Sequence, residues 1–227
     1  MVADDLKRAA AAVAAELVEP GMLVGLGTGS TATHAIRLLG ERFRSGLRFT
    51  GIATSRRSAE LARSFGIPLI DSPTEAPIDL TIDGADEISE AGLTLIKGMG
   101  GALLWEKIVA ARSHRLVIVA DESKLSPVLS GRVPVPIEVV TFGWESTKAR
   151  LAALGCRPVL KRDAEGKPVR TDAGNLIFNC KFDTLPNPTR LEEDLSMIVG
   201  VVETGIFIGL ATMALVASRS GVRRLDR

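Results

Sequence analysis

Three carboxylates fall within five residues in Asp83-Gly84-Ala85-Asp86-Glu87, and a lysine with a glycine run, Lys97-Gly98-Met99-Gly100-Gly101, follows shortly after. Crowded carboxylates repel one another, an arrangement suited to exchanging protons with a substrate hydroxyl. Aspartates in turns also serve simply to bond nearby backbone N–H groups, so the cluster alone leaves both readings open. Lys97 could snorkel to solvent from a strand end, or its ammonium and the Gly98–Gly101 amides could stabilise an oxyanion. Glu106 falls about a turn and a half into a helix expected from about Ala102, close to whatever the glycine loop binds. Partly desolvated there, it could act as a general base; on the surface it would be a solvated residue or a member of an ion pair. Asp83, Asp86, Glu87, Lys97 and Glu106 are expected to face one pocket at strand ends, where open α/β sheets place their ligands.

A second cluster lies earlier in the chain. Met22 to Leu26 is an apolar strand running into Gly25-Leu-Gly-Thr28-Gly29-Ser30-Thr31, and a helix follows to Leu39, ending at Gly40. A turn of this kind offers backbone N–H groups and hydroxyls to an anion such as phosphate. It lacks the Walker lysine and the full dinucleotide spacing, so neither fingerprint applies. Lys124, in Asp121-Glu-Ser-Lys124, either adds charge for the same phosphate or faces water. His34 and His114 have no partner pattern and read as structural or surface residues, and Trp105 and Trp144 as packing residues.

The elements that must position these groups alternate. A helix capped by Asp4 or Asp5 precedes the first strand and stops before Pro20-Gly21. A strand at Phe49 to Ala53, a helix at Ser58 to Phe65, and strands at Ile67 to Ile70 and Leu80 to Ile82 follow. Leu93 to Ile96 and Leu116 to Ala120 read as further strands, the last one apolar throughout, as expected for burial on both faces. The alternation predicts a Rossmann-like, mostly parallel α/β sheet with helices on both faces. After Gly131 the pattern changes. Val133 to Val140 contains Pro134 and Pro136, which suits an edge strand or a crossover. A helix over Trp144 to Leu154, strands at Pro158 to Lys161 and Asn175 to Cys180, a helix with a Thr189/Glu192 capping box and a strand at Gly200 to Glu203 complete a β-α-β-β-α-β order. Residues 131–205 are therefore expected to form a small ferredoxin-like α+β domain. Residues 1–130 form the Rossmann-like catalytic domain, with 206–227 returning to it.

Composition narrows the function classes. The 227 residues carry 28 Lys+Arg against 27 Asp+Glu, a net charge of +1, and Tyr is absent. Neither a general nucleic-acid field nor a base-stacking platform is expected. Cys156 and Cys180 lie far apart with no metal-ligand spacing, which fits a reducing, cytoplasmic setting. Met1-Val-Ala-Asp-Asp-Leu-Lys7 shows no signal-peptide pattern, and the longest apolar stretch, around Ile206 to Ala217, is too short to span a bilayer.

Taken together, Gly27-Thr-Gly-Ser-Thr-Ala32, Asp83-Gly-Ala-Asp-Glu87, Lys97-Gly-Met-Gly-Gly-Ala-Leu103 with Glu106, and Ala120-Asp-Glu-Ser-Lys124 resemble the A-type ribose-5-phosphate isomerase family. Thr171-Asp-Ala-Gly-Asn-Leu176 and Gly200-Val-Val-Glu203 extend the resemblance over nearly the whole chain. It implies a metal-free and cofactor-free interconversion of ribose 5-phosphate and ribulose 5-phosphate in the non-oxidative pentose phosphate pathway. In that mechanism Glu106 is the base that moves a proton between C2 and C1 through an enediolate. Asp83 assists ring opening and proton traffic, with Gly84 and Ala85 in the substrate-binding turn beside it. Asp86 holds sugar hydroxyls, and Lys97 with the Gly98–Gly100 backbone, Met99 included, stabilises the enediolate oxygen. Thr28, Gly29, Ser30, Thr31 and Lys124 bind substrate, chiefly its phosphate, and Lys7 matches a further basic position. The family implies a homodimer or homotetramer, with no nucleic-acid or membrane partner.

Met99 departs from the family pattern by placing a Cβ in the glycine run, which would cost strain if that position required φ > 0. Val199, Thr204 and Asn179 depart from it in or beside the small domain. The competing readings are a non-catalytic sugar-phosphate sensor and a related phosphosugar deaminase or lactonase. The sensor would keep the phosphate loop but lose the base, and the other enzymes would place a histidine in the site. A nicotinamide-dependent dehydrogenase lacks its glycine spacing here.

Overall fold

The computed structural model describes residues 3–73, 76–129, 131–185 and 187–227. Met1 and Val2, the start of the N-terminal stretch considered above, lie outside the described residues. In chain order the elements are α1 (Ala3–Ala15), β1 (Leu23–Leu26), α2 (Ser30–Arg44), β2 (Thr50–Ala53), α3 (Arg56–Ser64) and β3 (Leu80–Asp83). Then come β4 (Glu87–Ser89), β5 (Leu95–Ile96), α4 (Leu103–Ala111), β6 (Leu116–Asp121), a 3₁₀ turn at Glu122–Lys124, and β7 (Leu125–Ser126). The remainder is β8 (Val135–Val139), α5 (Trp144–Ala153), β9 (Arg157–Leu160), β10 (Leu176–Lys181), α6 (Pro188–Ser196), β11 (Val201–Thr204), β12 (Ile206–Phe207), β13 (Met213–Ser218) and β14 (Gly221–Asp226).

These elements sort into two compact units. The first comprises Met1–Ala85, Trp105–Leu125 and Gly209–Arg227; the second comprises Asp86–Leu104 and Ser126–Ile208. The second unit is thus larger than the 131–205 segment, because it also takes in the stretch carrying Asp86 and the Lys97 loop. The return to the first unit begins at Gly209, since β12 pairs with β5 in the second.

In the first unit the sheet order is β14-β13-β6-β3-β1-β2, parallel at every pairing except the antiparallel β13–β14 edge. The apolar strand runs are explained by burial on both faces. Val24, Leu26, Leu80 and Ile82 pack with Ala10, Ala14, Ile36 and Leu39 of α1 and α2. On the other face Ile52 and Ile78 pack with Val109 of α4. The chain makes β2 on one side of β1 and then β3 on the other, so the strand order reverses between β1 and β3. Ligands of open α/β sheets bind at the carboxyl ends of the strands at such a point.

Two expectations for this unit change. α2 continues past Gly40 to Arg44, because a glycine there lets Phe65 lie against the helix: an added Cβ would come within 2.2 Å of the Phe65 ring. Ile67 to Ile70 forms only a single bridge, Gly51 to Leu69, although Ile67 is buried.

In the second unit β8-α5-β9-β10-α6-β11 gives an antiparallel sheet of order β11-β8-β10-β9, the ferredoxin-like arrangement. Its core is built from Val135, Ile137, Val139, Leu151, Phe178 and Leu195. β8 is a central strand despite Pro136, not the edge that its prolines suggested. The proline ring is accommodated because Gly205 lies beside it, where an added Cβ would meet the ring at 2.7 Å, and the Pro136 carbonyl still accepts from the Gly205 N–H at 2.7 Å. The N-cap of α6 is Asn187, whose side chain accepts from the Arg190 N–H at 3.0 Å; Thr189 lies within the helix. A small sheet of order β12-β5-β4-β7 completes the fold.

Candidate active site

In the first unit, the turns after β1 and β3 meet. Asp83 is the last residue of β3 and only 1% exposed. Its Oδ1 accepts from the Thr28 N–H at 3.0 Å and the Gly84 N–H at 2.8 Å. Gly27 permits this approach: a Cβ there would lie 2.3 Å from Asp83 Oδ1 and 2.5 Å from the Ile82 carbonyl oxygen. The aspartate therefore ties its own turn together and also places a buried carboxylate at the switch point.

The turn after β1 leads into α2 through Gly29, whose φ of 114° a side chain would oppose. As N-cap it offers no side chain to the first-turn N–H groups of Ser30 and Thr31. The Thr28 hydroxyl is otherwise engaged. It lies 2.7 Å from Thr54 Oγ1 and 2.8 Å from Ser55 Oγ, and Ser58 Oγ donates to the Gly27 carbonyl at 2.7 Å. Thr54, Ser55 and Ser58 have no site role in the reading of the sequence; the signal that points to them is a hydroxyl-rich strand-to-helix turn. Lys7 on α1 and Lys124 at the end of the 3₁₀ turn are both half-buried. Glu106 stands in the first turn of α4 and is 4% exposed, so it is not a solvated surface residue. His34 pairs with Asp4 at 3.0 Å, and His114 is exposed.

In the second unit, Lys97 is 2% exposed, which removes the snorkelling reading. Its N–H bonds to the Gly205 carbonyl at 2.8 Å, and its Nζ lies 5.5 Å from the centre of the Phe207 ring, within cation–π range. Gly98 turns the loop with φ 95°, and a Cβ there would meet Leu103 Cβ at 2.5 Å. Among described non-glycine residues only Leu93 has positive φ, so Met99 sits in an ordinary backbone region and carries none of the strain considered above. Its N–H donates to Asp86 Oδ2 at 3.0 Å, and its carbonyl accepts from Lys161 Nζ. Burial pushes the Lys161 ammonium below the usual lysine range, against the opposing attraction of Asp86.

Glu87 lies on β4, fully buried, and accepts from Ser126 Oγ at 2.8 Å within the small sheet. Among the described residues no group of three or more His, Cys, Asp or Glu side chains is placed to hold a metal ion, and no helix is long and apolar enough to cross a membrane.

A doubly wound sheet with a glycine turn and a buried carboxylate at its switch point, joined in one chain to a ferredoxin-like unit with a lysine–glycine loop, is the arrangement of an α/β protein with a small-molecule site. The family model of ribose 5-phosphate isomerase A (phosphoriboisomerase A) matches residues 50–221. The chain is 53% identical to ribose-5-phosphate isomerase A of Synechococcus sp. (strain JA-3-3Ab) over 224 residues, covering 98% of this chain and 97% of that one. With the Gluconobacter oxydans (strain 621H) protein of the same name it shares 50% identity over 221 residues, covering 97% and 96%. Among solved structures, ribose 5-phosphate isomerase A of Methanocaldococcus jannaschii superposes with a TM-score of 0.93 at 38% identity, over 98% of this chain and 99% of that one. A D-ribose-5-phosphate isomerase in complex with phospho-erythronic acid gives 0.95 at 37% identity over the full length of both. The chain belongs to the ribose-5-phosphate isomerase A family, and it is an isomerase.

Proposed function

We propose that this chain interconverts D-ribose 5-phosphate and D-ribulose 5-phosphate, with Glu106 as the base. In the open-chain aldose, the Glu106 carboxylate takes the C2 proton, the electron pair moves to give an enediolate, and the same carboxyl returns the proton to C1. Asp83 opens the sugar ring and exchanges protons at its oxygens. Lys97 and the Gly98 and Gly100 amides stabilise the charge that develops on the enediolate oxygen, the Met99 N–H being engaged by Asp86. Asp86 holds sugar hydroxyls, the Gly29–Thr31 amides with Lys124 hold the phosphate, and Lys7 adds charge. The observation that carries this reading is Glu106 itself: a carboxylate 4% exposed in the first turn of the helix that follows the glycine loop. The relatives' names support the reaction, and the complex of one of them with phospho-erythronic acid supports a phosphosugar ligand.

The test is turnover of ribose 5-phosphate in excess chelator, with ketose formation followed. Glu106→Gln is expected to lose about 10²–10⁴-fold in rate while binding phospho-erythronic acid. Activity near the wild-type level in that variant would remove Glu106 from the role.

The same reading makes the protein a cytoplasmic homodimer. The buried free thiols of Cys156 and Cys180 suit a reducing compartment. For the dimer contact, Phe142 (93% exposed), Met197 (82%) and Val199 (79%) are the candidates. They lie on neighbouring loops joined by the Val140 N–H to Gly200 carbonyl bond of 2.9 Å, and exposed apolar patches mark such contacts. Sedimentation of Phe142→Asp should show monomer where the wild type sediments as a dimer.

A further inference from the structure

Met99 is held at both ends by side chains that the reaction as described leaves without a common purpose. Asp86 Oδ2 accepts its N–H at 3.0 Å, and Lys161 Nζ donates to its carbonyl oxygen. Lys161 follows β9 directly, and its own N–H bonds to the Ile177 carbonyl at 2.8 Å, so its backbone is anchored to the sheet. The ammonium is half-buried and lies close enough to Asp86 to feel its charge.

The geometry of the peptide unit gives this contact a consequence. The bond between Met99 and Gly100 is planar and trans, so fixing the Met99 carbonyl also fixes the Gly100 N–H in the opposite direction. Asp86 fixes the preceding peptide plane in the same way. The Gly98 carbonyl accepts from the Gly101 N–H at 2.8 Å, which closes the turn. Among the described residues the Gly100 N–H has no protein acceptor, and Gly100 is exposed. One amide of the loop is thus left open, aimed by a lysine on its far side.

We propose that Lys161 is a positioning residue for the isomerisation: by clamping the Met99 carbonyl it aims the Gly100 N–H at the oxygen that becomes negative in the enediolate. The inference rests on the isomerase reading given above and deepens it. Amides act on developing charge only when held in place before the reaction, because reorienting them later costs what their attraction returns. The half-buried ammonium extends from a backbone anchored beside β9, and a guanidinium, likewise a cation that only donates, could replace it at the same carbonyl.

The test compares Lys161→Met, which keeps the stem and loses the donor, with Lys161→Arg. Loss of a transition-state interaction lowers kcat with KM nearly constant. Lys161→Met is expected to lose about 10–100-fold in kcat with KM within about twofold, and Lys161→Arg to recover most of it. The amide resonance of Gly100 is followed in parallel as phospho-erythronic acid is added. It should shift on binding in the wild type and in Lys161→Arg, and shift much less in Lys161→Met. Unchanged kcat in Lys161→Met, or a Gly100 shift equal to that of the wild type, overturns the proposal. So does a loss that Lys161→Arg fails to restore. Glu106→Gln serves as the control. If it keeps full turnover, the assignment of Glu106 fails, while the Gly100 resonance still decides the role of Lys161.

Discussion

The backbone N–H of Thr28 donates to Oδ1 of Asp83 at 3.0 Å, so the turn after β1 and the end of β3 are set as one piece. That bond depends on the absence of a side chain one residue earlier. An alanine at position 27 would put its Cβ 2.3 Å from the Asp83 carboxylate and 2.5 Å from the Ile82 carbonyl, and the latter is backbone that cannot swing away. Gly27→Ala is expected to cost about 1–3 kcal/mol in stability, as overpacking generally does, and to cut turnover severely. Urea denaturation and an isomerase assay check both effects.

The glycine loop separates two neighbouring positions. Gly98 has φ 95°, and a Cβ added there would lie 2.5 Å from Leu103 Cβ, whereas Met99 has no positive φ. Gly98→Ala should therefore lose about 1–3 kcal/mol and much of kcat, while Met99→Gly keeps kcat within a few-fold. Parallel kinetics on the two variants decide it. Equal losses would show that the side chain of Met99 matters in a way its backbone does not require.

Glu138 makes stability depend on pH. It is 1% exposed on β8, and its Oε1 accepts from Thr171 Oγ1 at 2.8 Å and Asn175 Nδ2 at 2.9 Å. Burial first, then the negative charges of Glu203 and Asp172, push its carboxyl above the usual range, against the two hydrogen bonds. The folded state thus holds this proton to higher pH than the unfolded chain does. Its contribution is fully present below the unfolded pKa and is lost as pH rises through the raised folded value. Glu138→Gln keeps an acceptor for both donors and cannot ionise. Its melting temperature should exceed that of the wild type increasingly as pH rises from the acidic range toward neutrality. Parallel melting curves for the two proteins across pH would contradict this.

Capping of α6 gives a cleaner comparison. Asn187→Ala removes the side chain that accepts from Arg190, and should cost about 1 kcal/mol. Thr189→Ala, inside the helix, should stay within about 0.5 kcal/mol. Thermal denaturation of both variants measures the difference.

The strand–turn–helix units of the first sheet were readable because their signals are local: an apolar run, a glycine turn, a helical repeat. The loop of Thr28 to Thr31 and the carboxylate of Asp83 stood out for the same reason. What escaped depends on partners distant in sequence. Lys161 reaches a carbonyl 62 residues away, and nothing near it announces that contact. β4 and β5 are three and two residues long, too short for any periodicity to show, so the attachment of Asp86–Leu104 to the second unit could not be seen. Pro136 argued for an edge because the glycine that accommodates it is Gly205, far along the chain. Met99 raised a question of backbone angle that residue identity alone does not answer.

The position of β13 bears on how the protein is made. It lies between β6 and β14 in the first sheet, yet Met213 leaves the ribosome 92 residues after Asp121. At about 5–20 residues per second, β6 waits on the order of 5–20 s with one side unpaired. That exposed edge is a template for another nascent chain. Delivery of the β13–β14 hairpin closes that edge, so the last strands of the chain complete the first sheet.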